Sequence, residues 1–108
     1  MAKSTELLRG TLDLLILKTL VHGPRHGIGV ADRIRQITSG TFAVKAGSLF
    51  PALHRLEQNG FIAGAWTASA EGRRVKEYCL TSDGRRQLAA EKREWIRIAA
   101  AMAQVLGS

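Results

Sequence analysis

The sequence predicts a mainly helical α+β fold, because helical apolar spacing dominates the chain and one pair of short strands interrupts it. Four segments carry apolar residues three or four positions apart, which is the spacing of a buried helix face. Two runs of alternating residues flank a loop of small residues, which is typical of a β-hairpin. The 108 residues suffice for one domain with a single core.

The first predicted helix, over residues 7–21, is apolar on nearly every side. His22, Gly23 and Pro24 then end it, since proline cannot continue a helix. A helix without a polar face must be buried on more than one side. In so small a domain this favours contact with a partner subunit as well as with the core, and we expect Leu8 and Leu12 in that interface.

A second helix is predicted over residues 26–38, and it is amphipathic. Val30, Ile34 and Ile37 share the side that would face the core. His26 is placed to cap the helix or to touch a phosphate. Residues 39–41 form a turn that leads to the next helix.

The third predicted helix occupies the run of residues 45–60, with leucines on one side and mostly polar groups on the other. Ser48 is expected to cap its first turn, where free amides favour a phosphate. Three short helices in this order are typical of a helix-turn-helix, whose last helix reads DNA. Lys45, His54 and Arg55 would meet the major groove, in which arginine pairs with guanine and lysine more often holds a phosphate. Glu57 is expected to pair with an arginine of this chain.

Two strands are predicted over residues 61–68 and 75–80, and their loop is tipped with positive charge. This hairpin would form a wing beside the third helix. Arg73, Arg74 and Lys76 would enter a minor groove, the alternative being a solvated hairpin tip. Cys79, the single cysteine, is expected to be a small buried residue of the second strand, with a redox-sensing thiol as the alternative.

The last predicted helix follows a capping run at residues 81–84 and continues to about residue 106. Leu88, Trp95 and Met102 recur every seven residues, and Ile98 and Val105 occupy the companion positions. This is coiled-coil spacing, so we expect the helix to join two copies of the chain. Residues 1–82 would form a winged helix-turn-helix and residues 83–108 a dimerisation helix, within one structural unit.

The charge balance indicates an anionic partner. Sixteen Lys and Arg against nine Asp and Glu give a formal net charge of +7, which favours nucleic acid or a lipid surface. No apolar run is long enough to span a bilayer and the first residues do not form a secretory signal, so we expect a cytoplasmic protein. The three histidines lack metal-ligand spacing and no catalytic constellation occurs, so we expect no metal, no cofactor and no enzymatic activity.

Several motifs carry a resemblance to a known family. They are GSLFPALHRLE at residues 47–57 with GFI at 60–62, GTLD at 10–13, GPRHG at 23–27 and YCLT at 78–81. Together they resemble the PadR-type transcriptional regulators, which are winged helix-turn-helix repressors, and they span nearly the whole chain. The family usually has tyrosine where this chain has Phe50 and an aromatic residue where it has Ile28, so a phenolic contact to phosphate is absent at Phe50.

The resemblance implies a short family member, with one DNA-binding domain and a dimer helix but no second C-terminal domain. In some short members the dimer helices enclose an effector pocket. This implies that Trp95, Ile98, Ala99 and Met102 contact a flat aromatic effector. Trp95 is equally well explained as an anchor of the dimer interface, because buried tryptophans dominate interface energetics.

These observations predict a sequence-specific DNA-binding regulator, a homodimeric repressor that responds to a small aromatic ligand. The alternative is an architectural nucleic-acid-binding protein with little sequence preference and no effector. The residues expected to contact double-stranded operator DNA are Arg25, His26, Lys45, Ser48, Phe50, Pro51, His54, Arg55, Arg73, Arg74 and Lys76. Those expected in the dimer interface are Leu8, Leu12, Leu88, Trp95, Ile98, Met102 and Val105.

Overall fold

The computed structural model describes residues 9–108, which form four helices and a three-stranded sheet. In chain order the elements are α1 (Arg9–Thr19), β1 (Arg25–His26), α2 (Gly27–Ile37), α3 (Ala46–Gln58), β2 (Ile62–Ala68), β3 (Arg74–Leu80) and α4 (Ser82–Leu106). The predicted fold class is confirmed: this is a mainly helical winged helix-turn-helix with a long C-terminal helix. Leu8, expected in a dimer interface, lies outside the described residues.

The core forms where α1, α2 and α3 meet, because each helix brings a row of apolar side chains to the same centre. Its largest fully buried members on these helices are Ile16, Leu17, Val30, Ile34, Leu49 and Leu53. Leu12 belongs to this core and is only 4% exposed, which corrects its assignment to a dimer interface, since its own chain already covers it. Ile37, predicted to face inward, is exposed because it is the last residue of α2.

The sheet is antiparallel and has the strand order β1-β3-β2. β2 and β3 form the predicted hairpin, with seven residue pairs in register. β1 places Arg25 opposite Tyr78 and His26 opposite Glu77. The sequence did not predict β1, because two residues are too few to show alternation. This short strand ties the start of α2 to the hairpin.

Cys79 lies on the exposed side of β3 and is a free thiol, which corrects the expectation that it is buried. Side chains alternate between the two sides of a strand. The neighbouring residue Tyr78 is buried in the core, so Cys79 points away from the core. The outer side of the sheet is open to solvent at this residue.

α4 begins with the predicted cap and then leaves the core. The Thr81 hydroxyl accepts a hydrogen bond from the Gly84 amide at 2.9 Å and donates one to the Gly60 carbonyl at 2.7 Å. Gly84 packs so closely on the carbonyl of Phe61 that a side chain would overlap it. Leu88 packs against the core, but most of the helix beyond it is exposed. The radius of gyration is therefore 15.0 Å, against about 13 Å for a compact chain of this length.

Candidate nucleic-acid interface

The exposed side of α3 is the first part of the interface. The helix buries Leu49, Ala52, Leu53 and Leu56 against the core. The opposite side carries Ser48, Pro51 and His54 at three-residue spacing, and Lys45 precedes them at the N-cap. The structure thus brings four of the predicted DNA contacts to one solvent-facing surface, as the leucine spacing predicts.

The start of α3 differs from the prediction in its cap. Lys45 occupies the N-cap position and its side chain makes no capping hydrogen bond. Ser48 is the third residue of the helix, and its amide donates to the Lys45 carbonyl at 3.0 Å. The prediction that Ser48 caps the helix is therefore wrong. Its side chain is exposed on the solvent side instead.

Arg55 was predicted to point into solvent, but it forms an ion pair within the chain. Its Nη2 donates to Oδ1 of Asp13 on α1, and the two side chains are 22% and 15% exposed. The helical spacing places Arg55 on the polar side of α3, but α1 packs against α3 there and supplies a carboxylate. The ion pair holds the guanidinium to the body of the protein, which corrects the expectation of an outward arginine.

Lys76 and Glu57 form a second ion pair, which links the wing to α3. Lys76 Nζ donates to Glu57 Oε1 at 2.8 Å, and this hydrogen bond raises the pKa of Lys76 above its usual value. Gly64 leaves room for the pair, because a side chain there would overlap Lys76 Cε and lie 3.0 Å from Glu57 Oε2. Two expectations are corrected: Glu57 pairs with a lysine rather than an arginine, and the Lys76 ammonium is bound within the chain.

The tip of the wing presents the two predicted arginines. The Ser69 amide donates to the Arg73 carbonyl at 2.7 Å, and the Arg73 amide donates to Ser69 Oγ at 3.2 Å, which closes the loop. Arg73 and Arg74 are both exposed. Arg74 Cζ lies 4.8 Å from the ring centroid of Trp66, so its guanidinium stacks on the indole. Stacking uses the face of the guanidinium and leaves its in-plane N–H groups available.

The start of α2 adds His26 and Arg25. The prediction that His26 caps α2 is confirmed, because its Nδ1 accepts a hydrogen bond from the Gly29 amide at 3.2 Å. A neutral imidazole that accepts at Nδ1 carries its proton on Nε2, which makes Nε2 a donor. Arg25 is half-buried, and its Nε donates to the Thr19 carbonyl at 3.0 Å. This bond ties Arg25 to the end of α1.

A groove of about 340 Å³ lies between the start of α2, the exposed side of α3 and the wing. Its walls include Ile28, Phe50, Trp66 and Tyr78, and Arg74 lies at its edge. Trp66 was not among the predicted site residues. The available signal was the alternation in β2, which places Trp66 directly opposite Lys76 and on the same side of the hairpin.

The residues predicted for the dimer interface and effector pocket on α4 share one side of the helix. Trp95, Ile98, Met102 and Val105 are 48%, 47%, 55% and 72% exposed, and Ala99 is half-buried. Leu88 is covered partly by its own core, which leaves less of it for a partner. The heptad spacing seen in the sequence is therefore an exposed apolar stripe in one chain.

The part of the chain that the structure describes, residues 9–108, contains no cluster of three or more histidine, cysteine or acidic residues that could hold a metal ion. None of its helices is both long enough and apolar enough to cross a membrane.

Comparisons with known proteins agree with this geometry. The family model described as "Transcriptional regulator PadR-like family" matches residues 16–90. A PadR family transcription regulator from hypervirulent Clostridium difficile is similar, with 32% identity over 88% of this chain and 97% of that one and a TM-score of 0.76. A PadR-like transcriptional regulator from Bacillus cereus is 25% identical over 96% of this chain and 99% of that one, with a TM-score of 0.79. An uncharacterized protein from Lysinibacillus sphaericus is 28% identical over 87% of this chain and 86% of its own length.

Proposed function

Because the chain belongs to the PadR-like family of transcriptional regulators, we propose that it is a cytoplasmic homodimeric repressor that binds operator DNA and releases it when a small aromatic ligand binds. One observation carries the DNA-binding part: the exposed side of α3 lies beside a wing that presents Arg73 and Arg74. The net charge of +7 supports an anionic partner.

Three groups of residues would make three kinds of contact with DNA. Ser48, Pro51 and His54 would meet base edges in the major groove, while Arg25, His26 and Lys45 hold phosphates. Arg73 and Arg74 would reach the minor groove. Phe50 would lie beside the DNA backbone, between the major-groove and the minor-groove contacts.

Arg55 and Lys76 would act indirectly. Each is held by a carboxylate of this chain, Arg55 by Asp13 and Lys76 by Glu57. The first pair fixes α3 against α1, and the second fixes the wing against α3. We therefore assign them the task of setting the position of the recognition helix and the wing rather than of reading bases.

The first experiment selects bound fragments from a random DNA pool, which gives the half-site sequence and its spacing. The selected duplex should bind at least about 10³ times more tightly than mixed-sequence duplex at the same salt concentration. A ratio near one would refute sequence-specific regulation and would favour the architectural alternative, a protein that binds nucleic acid by charge alone.

The wing is tested by the double variant Arg73→Ala with Arg74→Ala. An arginine in the minor groove also neutralises an adjacent phosphate, and each phosphate neutralisation that is lost reduces the slope of log affinity against log salt by about 0.9. The four arginines lost from a dimer should therefore reduce the slope by about 3.6. The matched control is Arg85→Ala with Arg86→Ala, which removes the same charge at the start of α4. Equal slopes for the two double variants would place the wing away from DNA.

The homodimer is supported by the apolar stripe on α4. Trp95, Ile98 and Met102 are each about half exposed in one chain and recur at coiled-coil spacing. A second copy of the same helix offers the complementary surface, because two-fold interfaces pair identical patches. The partner would cover side chains that the chain itself leaves in water.

Ile98→Glu tests this interface, because it places a charge in the middle of the stripe. We expect dimers for the parent protein and monomers for the variant in sedimentation equilibrium at micromolar concentration. Ala100→Glu is the control, since it adds the same charge on the other side of α4, and it should remain dimeric. A folded parent protein that sediments as a monomer would contradict the proposal.

The effector part is supported by the position of Trp95 among apolar neighbours. Ile98, Ala99 and Met102 follow it at three, four and seven residues, so all four share one side of α4. The indole offers a planar surface on which a flat aromatic ligand can stack. An inducer must bind the DNA-free form more tightly than the DNA-bound form, because equal affinities shift no equilibrium.

Trp66→Phe leaves Trp95 as the only tryptophan and makes the effector test specific. Planar aromatic cations and phenols should quench its emission, and the active ones should lower DNA affinity. The control is Trp95→Phe, in which Trp66 alone emits and should not be quenched. Absence of quenching across a broad panel would return Trp95 to a purely packing role.

A further inference from the structure

The side of the wing that faces α3 carries alternating cations and aromatic rings. Tyr78, Lys76 and Arg74 project to the same side of β3, and Trp66 lies beside them on β2. Lys76 Nζ is 5.6 Å from the Tyr78 ring centroid, and Arg74 Cζ is 4.8 Å from that of Trp66. Glu57 binds Lys76, whereas Arg74 lies at the outer, exposed end of the row.

The opposite wall of the groove is also apolar. Phe50 of α3 is 45% exposed and Ile28 of α2 is 52% exposed, and both line the same space as Trp66. Trp66 itself is 60% exposed, which leaves much of a large apolar ring in water. His26 also lines the groove, and its Nε2 is a donor because its Nδ1 accepts from the backbone.

The chemistry of the groove fits an elongated ligand with apolar faces and anionic edges. Three exposed hydrophobic side chains form its walls. Its side-chain nitrogen groups are donors: the His26 imidazole, the Arg74 guanidinium and the Lys76 ammonium, of which Glu57 already binds the last. The sugar-phosphate backbone of DNA has these two properties, since deoxyribose presents C–H groups and each phosphodiester carries one negative charge.

The position of the groove favours the same occupant. It lies between α3, which the proposed function places in the major groove, and the wing tip, which it places in the minor groove. One DNA strand separates those two grooves and must pass between the two elements. A protein that engages both grooves therefore needs a channel at this place.

We propose that the groove seats the sugar-phosphate backbone of this strand, with deoxyribose packed against Trp66, Phe50 and Ile28. The adjoining phosphate receives hydrogen bonds from His26 Nε2 and from Arg74, whose stacking on Trp66 holds its N–H groups in place. The inference rests on the proposed function and adds an apolar, sequence-independent contact to it. It gives Trp66 a direct contact with DNA.

Trp95→Phe makes Trp66 the only tryptophan and lets its emission report on the groove. Mixed-sequence duplex at low salt should shift the emission to shorter wavelength, because sugar replaces water around the indole. The matched control is Trp66→Phe, in which Trp95 emits and should not respond to the duplex. DNA binding is followed separately by anisotropy of a label on the duplex.

Substitution separates the apolar contact from the charged one. Trp66→Ala should weaken binding about tenfold for selected and mixed-sequence duplexes alike, without changing the salt slope, since no charge is lost. Thr67→Ala, its neighbour on the outer side of β2, should bind as the parent does. Arg74→Ala should weaken binding and also lower the slope.

The outcomes separate this inference from the proposed function. If the parent protein binds no duplex at low salt, the proposed function fails. If it binds but Trp66 emission stays constant, or if Trp66→Ala keeps full affinity, DNA binding stands and the groove is not the seat of the backbone. Loss of affinity for the selected duplex alone would also overturn the proposal, because a backbone contact is indifferent to sequence.

Discussion

Removal of the Asp13 carboxylate gives the sharpest test of how α3 is held. Asp13→Ala leaves the Arg55 guanidinium without its partner, in a place where the two side chains are only 15% and 22% exposed. Unit charges 4 Å apart attract by about 1 kcal/mol in water and about 4 kcal/mol at an effective dielectric constant of about 20. Exposed pairs contribute about 0.2–1 kcal/mol, and loss of one member of a buried pair costs about 3–5 kcal/mol. We expect an intermediate destabilisation of about 2 kcal/mol.

Thermal unfolding measures this loss. In a domain of this size 1 kcal/mol corresponds to about 4 °C, so Asp13→Ala should lower the Tm by about 8 °C at fixed protein concentration. Asp32→Ala is the matched control, because its partner Arg35 forms an exposed pair on α2 and the Tm should hardly change. The double variant Asp13→Ala with Arg55→Ala should be destabilised by clearly less than the sum of the two single variants, because both substitutions remove the same ion pair. Equal Tm values for Asp13→Ala and Asp32→Ala, or strict additivity, would refute the reasoning.

Three further predictions follow from the described contacts. Burial raises the pKa of Tyr78, the single tyrosine, with a further increase from the charge of Glu57 and a decrease from that of Lys76. A raised pKa means that the folded state holds the phenol proton more tightly than the unfolded state does. The stability that Tyr78 contributes in this way is complete below the pKa of the unfolded state and is lost as pH rises through the pKa of the folded state. Tyrosinate absorbance should therefore appear at higher pH in folded than in urea-unfolded protein, and coincident titrations would contradict this. Gly84→Ala should destabilise the protein by about 1–3 kcal/mol in urea unfolding, because the new methyl group overlaps the Phe61 carbonyl. In the control Gly47→Ala the new methyl group meets no atom within 4 Å, so this variant should be stabilised. Similar urea midpoints for the two variants would argue against this packing of Gly84. Cys79 should react completely with a maleimide in the native protein, and protection would mean that the outer side of β3 is covered.

Local patterns were sufficient to predict the four helices and the β2–β3 hairpin, but not the two-residue strand β1. The leucine spacing of α3 predicts which side is buried, because a helix repeats every 3.6 residues whatever it packs against. The cap of α4 is similarly local, since Thr81 bonds an amide three residues away. The hairpin follows from alternation and a loop of small residues. Each of these signals lies within a few residues of the structure it specifies.

The ion pairs of the interface were not predictable in this way. Asp13 and Arg55 are 42 positions apart, and their contact exists only because α1 and α3 cross in the core. Lys76 meets Glu57 because Gly64 leaves space between β2 and α3. Helical spacing can place an arginine on a polar side, but it cannot say whether another element brings a carboxylate to that side. Arg55, Glu57 and Lys76 were corrected for this reason, because the partners of these charged residues are set by tertiary packing.

These pairs change what the basic residues of this chain can do. The Arg55 and Lys76 ion pairs hold α3 to two different elements, one to α1 and the other to the wing. If α3 reads DNA as proposed, a helix held by two neighbouring elements would meet the duplex without first being ordered, and less of its contact energy would be lost to immobilisation. In the proposed function, Arg55 and Lys76 would thus position other elements, and direct contact with DNA would fall to exposed groups such as Lys45, Arg73 and Arg74. α1 also packs against α4, so the helix that holds Arg55 is in contact with the helix proposed to bind the effector.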